Sequence, residues 1–193
     1  MLIISTILEI DDDKFFNTSV VINSLGEIVG KYRKSHVPPI EASFLSSGDF
    51  NCPLFETEFG RIGILICYER HFPLCWLMLN RLGAEIVFNP SSEERLWLVE
   101  GRNAAFANGF FTVSTNRVGN EKFSNALNFN YFGSSYIACP LGFMTKTLPK
   151  SQDGILLADI DLNICRRVKE NLSFHKNQHL EVYFKKLNHL MSK

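Results

Sequence analysis

The chain has 193 residues, 46% of them hydrophobic and 21% charged, with Lys plus Arg and Asp plus Glu at 20 each. That length suits one domain with a sizeable core, and that composition excludes a disordered chain. The net charge of zero gives no basic excess, so neither nucleic acid nor an anionic membrane surface is an expected partner.

Residues 2–8 are apolar but too short to span a membrane, and they read as a strand with a missing or abrupt beginning. Asp11-Asp12-Asp13-Lys14 is a polar turn, residues 17–22 form a second strand, and Asn23 to Glu27 is turn-rich. Residues 28–34 give a third strand, a hairpin with the second, ending in the cations Lys31, Arg33 and Lys34. A charged strand end is commonly a solvated edge. Residues 35–55 carry Pro38, Pro39, Gly48 and Pro53 without clear periodicity. A stretch that long is more often functional than inert, and it holds Glu41 not far from the cationic strand end.

The stretch Gly60-Arg61-Ile62-Gly63-Ile64-Leu65-Ile66-Cys67-Tyr68-Glu69-Arg70-His71 organises the rest. An apolar run without alternation suits a strand buried on both faces. Cys67 then falls where that strand hands over to a helix, the carboxyl end at which α/β active sites collect. A thiol beside the free N–H groups of a helix start is favoured as thiolate, the nucleophilic form. Free Cys also packs as a small hydrophobe; the Glu, Arg and His that follow at once favour the first reading.

A helix is expected over residues 73–82, with Pro73 in its first turn and Gly83 at its exit. Leu74 to Leu79 are consecutive apolar positions, so several faces need cover. A monomer would be expected to leave Trp76 or Leu79 exposed, and this helix, with that over 96–109, is the expected contact of a homo-oligomer. Residues 84–90 are another buried strand. The helix from Leu96 to Gly109 would pack through Trp97, Val99, Ala104, Ala105 and Ala107. Strands follow at 110–116, 133–139 and 154–161, with a loop at 120–130 and helices at 162–170 and 180–191. The alternation implies layered α/β architecture with a mixed sheet. The cysteines, Cys52, Cys67, Cys75, Cys139 and Cys165, are odd in number and scattered. They read as free thiols in a reducing compartment, with a cytoplasmic location expected. His175 and His179 have i, i+4 spacing but no third ligand, so no metal site is expected.

Several segments, in order, resemble the nitrilase, or carbon–nitrogen hydrolase, superfamily, and in particular its β-ureidopropionase branch. They are Gly30-Lys31-Tyr32-Arg33-Lys34-Ser35-His36-Val37-Pro38, Ile66-Cys67-Tyr68-Glu69-Arg70-His71, and residues 73–78, 83–91, 100–105, 116–119 and 133–136. The resemblance implies an αββα sandwich over residues 1–165 with a helical extension at 166–193. It implies Cys67 as nucleophile, Lys34 as the cation beside it and Glu41 as a second active-site carboxylate. The Tyr68 N–H would be an oxyanion donor, with Tyr68, Arg70, His71 and Asn89 around the substrate; His71 reads equally well as packing or support. The reaction implied is hydrolysis of a non-peptide C–N bond in a ureido acid or amide, such as N-carbamoyl-β-alanine in pyrimidine breakdown, without metal or organic cofactor. Three departures go with it. The family's general-base Glu lies on an earlier strand than any matched here. The loop before Glu41 and that after Asn89-Pro90-Ser91 are shortened, and so are the regions 120–130 and 141–150. A truncated, non-catalytic paralogue acting in oligomer assembly is therefore the alternative.

Overall fold

A computed structural model of the chain describes residues 1–92, 96–122 and 128–193. Two sheets and a helical layer stack on one another. The first sheet is an antiparallel meander of β1 (Ile3–Asp11), β2 (Lys14–Ile22) and β3 (Ile28–Arg33). The second runs in the order β10 (Tyr136–Ala138), β7 (Phe111–Asn116), β6 (Ile86–Ser91), β5 (Gly60–Ile64) and β4 (Leu54–Thr57). Its centre, β5-β6-β7, is parallel and is connected through α1 (Pro73–Leu82) and α2 (Trp97–Asn108); the outer strands are antiparallel.

The parallel strands read as unbroken apolar runs because both of their faces are covered. Leu65 and Val87 join Trp76, Leu79, Ala104 and Phe110 in a core under the helices. Ile64, Ile66 and Cys67 join Val21 and Tyr32 of the first sheet in another. Period-two alternation thus sends neighbouring side chains of one segment into two cores, with Cys67 on the seam between the sheets. Gly63 permits the close approach of α1: a Cβ there would sit 3.0 Å from both Leu79 methyl carbons.

Several sequence expectations change. The strand expected through Ile66 stops at Ile64: Ile66 is still extended, but the Leu65 carbonyl accepts from the Asn89 side chain and the Ile66 N–H donates to Glu69, in place of strand partners. The segment expected as a loop at 120–130 belongs largely to a hairpin, β8 (Val118–Lys122) and β9 (Asn128–Phe132), with residues 123–127 outside the described set. The strand expected at 154–161 pairs with no described strand, and its Ile155 and Leu157 are 85% and 87% exposed. Trp76 and Leu79 are buried within the chain rather than left for a partner; Leu74, Met78 and Leu82 face outward instead. Val99 and Ala107 lie outside the packing face of α2, which is made by Trp97, Gly101, Ala104 and Ala105. α3 (Asn163–Leu172) buries Cys165 and Val168. His175 lies in the short α4 (Phe174–Asn177) while His179 precedes α5 (Leu180–Met191), so the two do not share a helix. Among the described residues no group of three or more His, Cys, Asp or Glu could hold a metal. No described helix is long and apolar enough to cross a membrane.

Candidate active site

The carboxyl end of β5 meets the end of β3. After Ile66 the chain enters a 3-10 helix, Cys67–His71, whose first residue takes φ +51°. That conformation is uncommon for a residue with a Cβ and costs about 1–3 kcal/mol, so it persists only where surrounding contacts enforce it.

Glu69 supplies such contacts. Its side chain is fully buried, and a buried carboxylate must find donors. Oε1 accepts from the Tyr32 hydroxyl at 2.6 Å, the Ser35 N–H at 2.9 Å and the His36 N–H at 3.2 Å. Oε2 accepts from the Ile66 N–H at 2.7 Å. One carboxylate therefore ties the residue after Lys34 to the residue before Cys67. Burial, and then the negative charge of Glu69, push the Tyr32 hydroxyl well above its ordinary pKa, so it stays a donor to that carboxylate.

Lys34 lies two residues beyond Tyr32 and shares its inward face. Its side chain has no exposed surface, and Nζ donates to Glu41 Oε2 at 2.7 Å. A buried ammonium needs such a counter-charge. The Lys34 backbone is held on both sides: its N–H donates to the Asn17 carbonyl at 2.8 Å, and its carbonyl accepts from the Gly48 N–H at 2.9 Å. Gly48 is required for that crossing, since a Cβ there would lie 2.3 Å from the Arg33 carbonyl oxygen.

A second carboxylate, Glu100 of α2, takes the two residues that follow Glu69. Arg70 Nε donates to its Oε2 at 2.8 Å, and His71 Nδ1 lies 2.6 Å from its Oε1. Arg70 is buried and also reaches the Cys67 carbonyl and Ser91 Oγ, both at 3.3 Å. Tyr68 is half-buried, with its ring edge-on to His71 and Phe72. Asn89, buried at the end of β6, donates from Nδ2 to the Leu65 carbonyl at 2.7 Å.

The structure thus joins Lys34 to Glu41 and sets Arg70 and His71 on one carboxylate. Arg70 and Asn89 bond to the backbone of the Cys67 turn and of the segment leading into it, which is a positioning geometry. The sequence marks Glu69 only as one of the polar residues that follow Cys67, with no role of its own, and gives no sign of Glu100. The available signal was an acid placed two residues beyond a buried apolar run, where it must either ionise with donors or stay neutral. Cys75, on the other side of the segment, has its thiol pushed up to about 11, by burial first and then by Glu69, which disfavours it as a nucleophile at neutral pH. A thiol on an enforced turn, a buried ammonium with its own carboxylate, and N–H groups at a helix start are the parts that acyl transfer through a cysteine uses.

The model of the carbon-nitrogen hydrolase family matches residues 1–170. The chain is 42% identical to a beta-ureidopropionase of Arabidopsis thaliana, over 95% of this chain and 50% of that protein. It is 28% identical to a nitrilase of Pyrococcus abyssi, over 95% of this chain and 69% of the relative. A carbon-nitrogen hydrolase from Helicobacter pylori G27 superposes with a TM-score of 0.89 at 27% identity, covering 96% of this chain and 71% of that one. The chain spans about half the length of the Arabidopsis relative.

Proposed function

The chain belongs to the carbon-nitrogen hydrolase family, and we propose that it hydrolyses the C–N bond of an N-carbamoyl amino acid, N-carbamoyl-β-alanine first among them, through Cys67. The observation that supports this most is the buried Lys34–Glu41 pair, linked through Glu69 to the Cys67 turn. In this reading Cys67 Sγ attacks the ureido carbon. The Lys34 ammonium and the Tyr68 N–H stabilise the oxyanion, and Glu41 holds that ammonium in place. Ammonia departs, taking up the proton lost by the thiol, and leaves a thiocarbamoyl group on sulfur. Water then cleaves the thioester-like bond and releases the amino acid and carbon dioxide. Tyr68 and His71, both half-buried, face the substrate, while Arg70 and Asn89 shape the turn. No metal or organic cofactor enters.

A second reading, a non-catalytic assembly subunit, is favoured by the outward Leu74 and Met78 of α1 and Val99 and Phe106 of α2. In either reading these helices form the contact of a cytoplasmic homo-oligomer. Ammonia release from N-carbamoyl-β-alanine by the purified chain separates the two. Turnover that disappears in Cys67→Ala supports hydrolysis; no turnover by the wild type, or equal turnover by the variant, refutes it.

A further inference from the structure

At the end of the second sheet away from Cys67, Arg61 stands at the start of β5 and Glu85 just before β6. The helices α3 and α4 come down on these strand starts. Between them lies a cleft of about 300 Å³, lined by four cations, Arg61, Arg166, Lys169 and Lys176, and two carboxylates, Glu85 and Glu170. In a chain of zero net charge this corner carries an excess of two positive charges.

The cations are unequally matched. Arg61 Nε lies 3.7 Å from Glu85 Oε2, and that same oxygen accepts the Arg61 backbone N–H at 2.9 Å. Arg166 donates to a neutral oxygen, Asn163 Oδ1, at 3.4 Å. Lys169 is half-buried, with its stem laid over Gly109: its Cγ and Cε are 3.1 and 3.4 Å from where a Cβ on that glycine would stand. Its ammonium is therefore held at the cleft instead of ranging through solvent. Burial is the main cause that lowers the pKa of Lys169; the Arg61 charge lowers it too, while Cys165 and Glu85 act in the opposite sense. An anion in the cleft offsets the net lowering. Charges along one helix are ordinarily a solvated face, but these converge from β5, α3 and α4. The wall they stand on is pinned, since Arg81 of α1 donates to the His175 carbonyl at 3.0 Å.

We propose that this cleft binds a small, soluble, doubly charged oxyanion of the phosphate class, with Lys169 as its central contact and Arg61, Arg166 and Lys176 around it. The volume, near the lower end for small-molecule sites, admits a phosphate with a small organic body. The site shares no residue with the Cys67 region, so it stands whether or not the chain hydrolyses a ureido acid.

The test is calorimetric titration of inorganic phosphate into the 193-residue chain, with ionic strength held constant by sodium chloride so that general screening is matched. Lys169→Met keeps the stem over Gly109 and removes the charge; Lys176→Gln changes an exposed residue with little risk to folding. Saturable binding is expected in the wild type, weakened at least about tenfold in Lys169→Met and severalfold in Lys176→Gln. It is expected unchanged in Lys146→Met, outside the cleft. Absence of phosphate-specific heat in the wild type overturns the proposal, as does equal affinity in the wild type and either cleft variant. Glycerol phosphate is expected to bind with the same pattern. Cosedimentation with phosphatidic acid vesicles that depends on Lys169, with free phosphate silent, overturns the assignment to a soluble ligand.

Discussion

Replacing Glu69 by Gln probes the contact on which the site geometry depends. The carboxylate is fully buried and takes three donors on one oxygen and the Ile66 N–H on the other. Gln is nearly the same size and keeps one acceptor oxygen. If that oxygen stays with Tyr32, Ser35 and His36, the new amide N–H₂ faces the Ile66 N–H, donor against donor. Stranding a buried donor costs about 1–3 kcal/mol, and the remaining bonds lose their charge assistance, so the total destabilisation is about 2–4 kcal/mol. With a urea slope of about 2–3 kcal/mol/M, the unfolding midpoint falls by roughly 1 M. Urea unfolding followed by circular dichroism and by tryptophan emission gives the number. Combining Glu69→Gln with Tyr32→Phe then asks whether the bond across the seam is real, since coupled partners show an interaction energy of about 0.5–3 kcal/mol. A Glu69→Gln chain within about 0.5 kcal/mol of wild type, or strict additivity with Tyr32→Phe, would refute the claim that this carboxylate fastens the two strand ends together.

Two further outcomes are expected. Hydrogen bonds from Arg33, and then from Lys31 and Thr18, hold the Glu9 carboxyl far below the usual carboxylate range despite partial burial. A folded-state pKa below the unfolded value of about 4.3 gives stability that is present above that pH and lost as pH falls through the lower folded value. The gap in thermal midpoint between wild type and Glu9→Gln is therefore expected at pH 6 and narrows steadily below about pH 4; a gap independent of pH contradicts the pairing. Burial pushes the Cys75 and Cys165 thiols to about 11. Peptide mapping after iodoacetamide treatment of the native chain at pH 8 should leave both essentially unlabelled, at a thiolate fraction of about 10⁻³, and rapid labelling of either shows that it is not packed as described.

The elements around the site were readable because their residues are unambiguous. Pro73 and Gly83 bracket α1, and the apolar runs beginning at Ile62 and Ile86 point to covered strands, which are β5 and β6. The hairpin β8–β9 was not readable, because Asn120, Glu121, Asn128 and Asn130 carry loop composition and its pairing partner, not its own propensity, makes it a strand. Residues 154–161 mislead in the opposite sense: Ile155, Leu156 and Leu157 look like a strand, but the segment joins none of the described sheets. For α1, consecutive apolar residues correctly announced a helix with more than one apolar face. They did not say which residues the sheet would take, and it took Trp76 and Leu79 while leaving Leu74 and Met78. In the site, Cys67 is legible from its place at the end of a buried apolar run and the roles of Lys34 and Glu41 come through motif resemblance, whereas the role of Glu69 emerges only from its four donors in space, which come from residues 32, 35, 36 and 66. Long-range hydrogen bonding of that kind leaves no periodic trace in a sequence.

The central claim is that Cys67 Sγ displaces ammonia from the ureido carbon, with the help of Lys34, and carries the rest of the substrate as a covalent intermediate. Rapid acid quenching of the chain mixed with N-carbamoyl-β-alanine, followed by peptide mass spectrometry, tests it most directly. The account predicts one S-linked carbamoyl group that still carries the amino acid, the ureido acid less ammonia, on the peptide bearing Cys67 in the wild type, and none there in Lys34→Met. Product formed with no adduct on Cys67, or an adduct whose amount is the same in Lys34→Met, contradicts it.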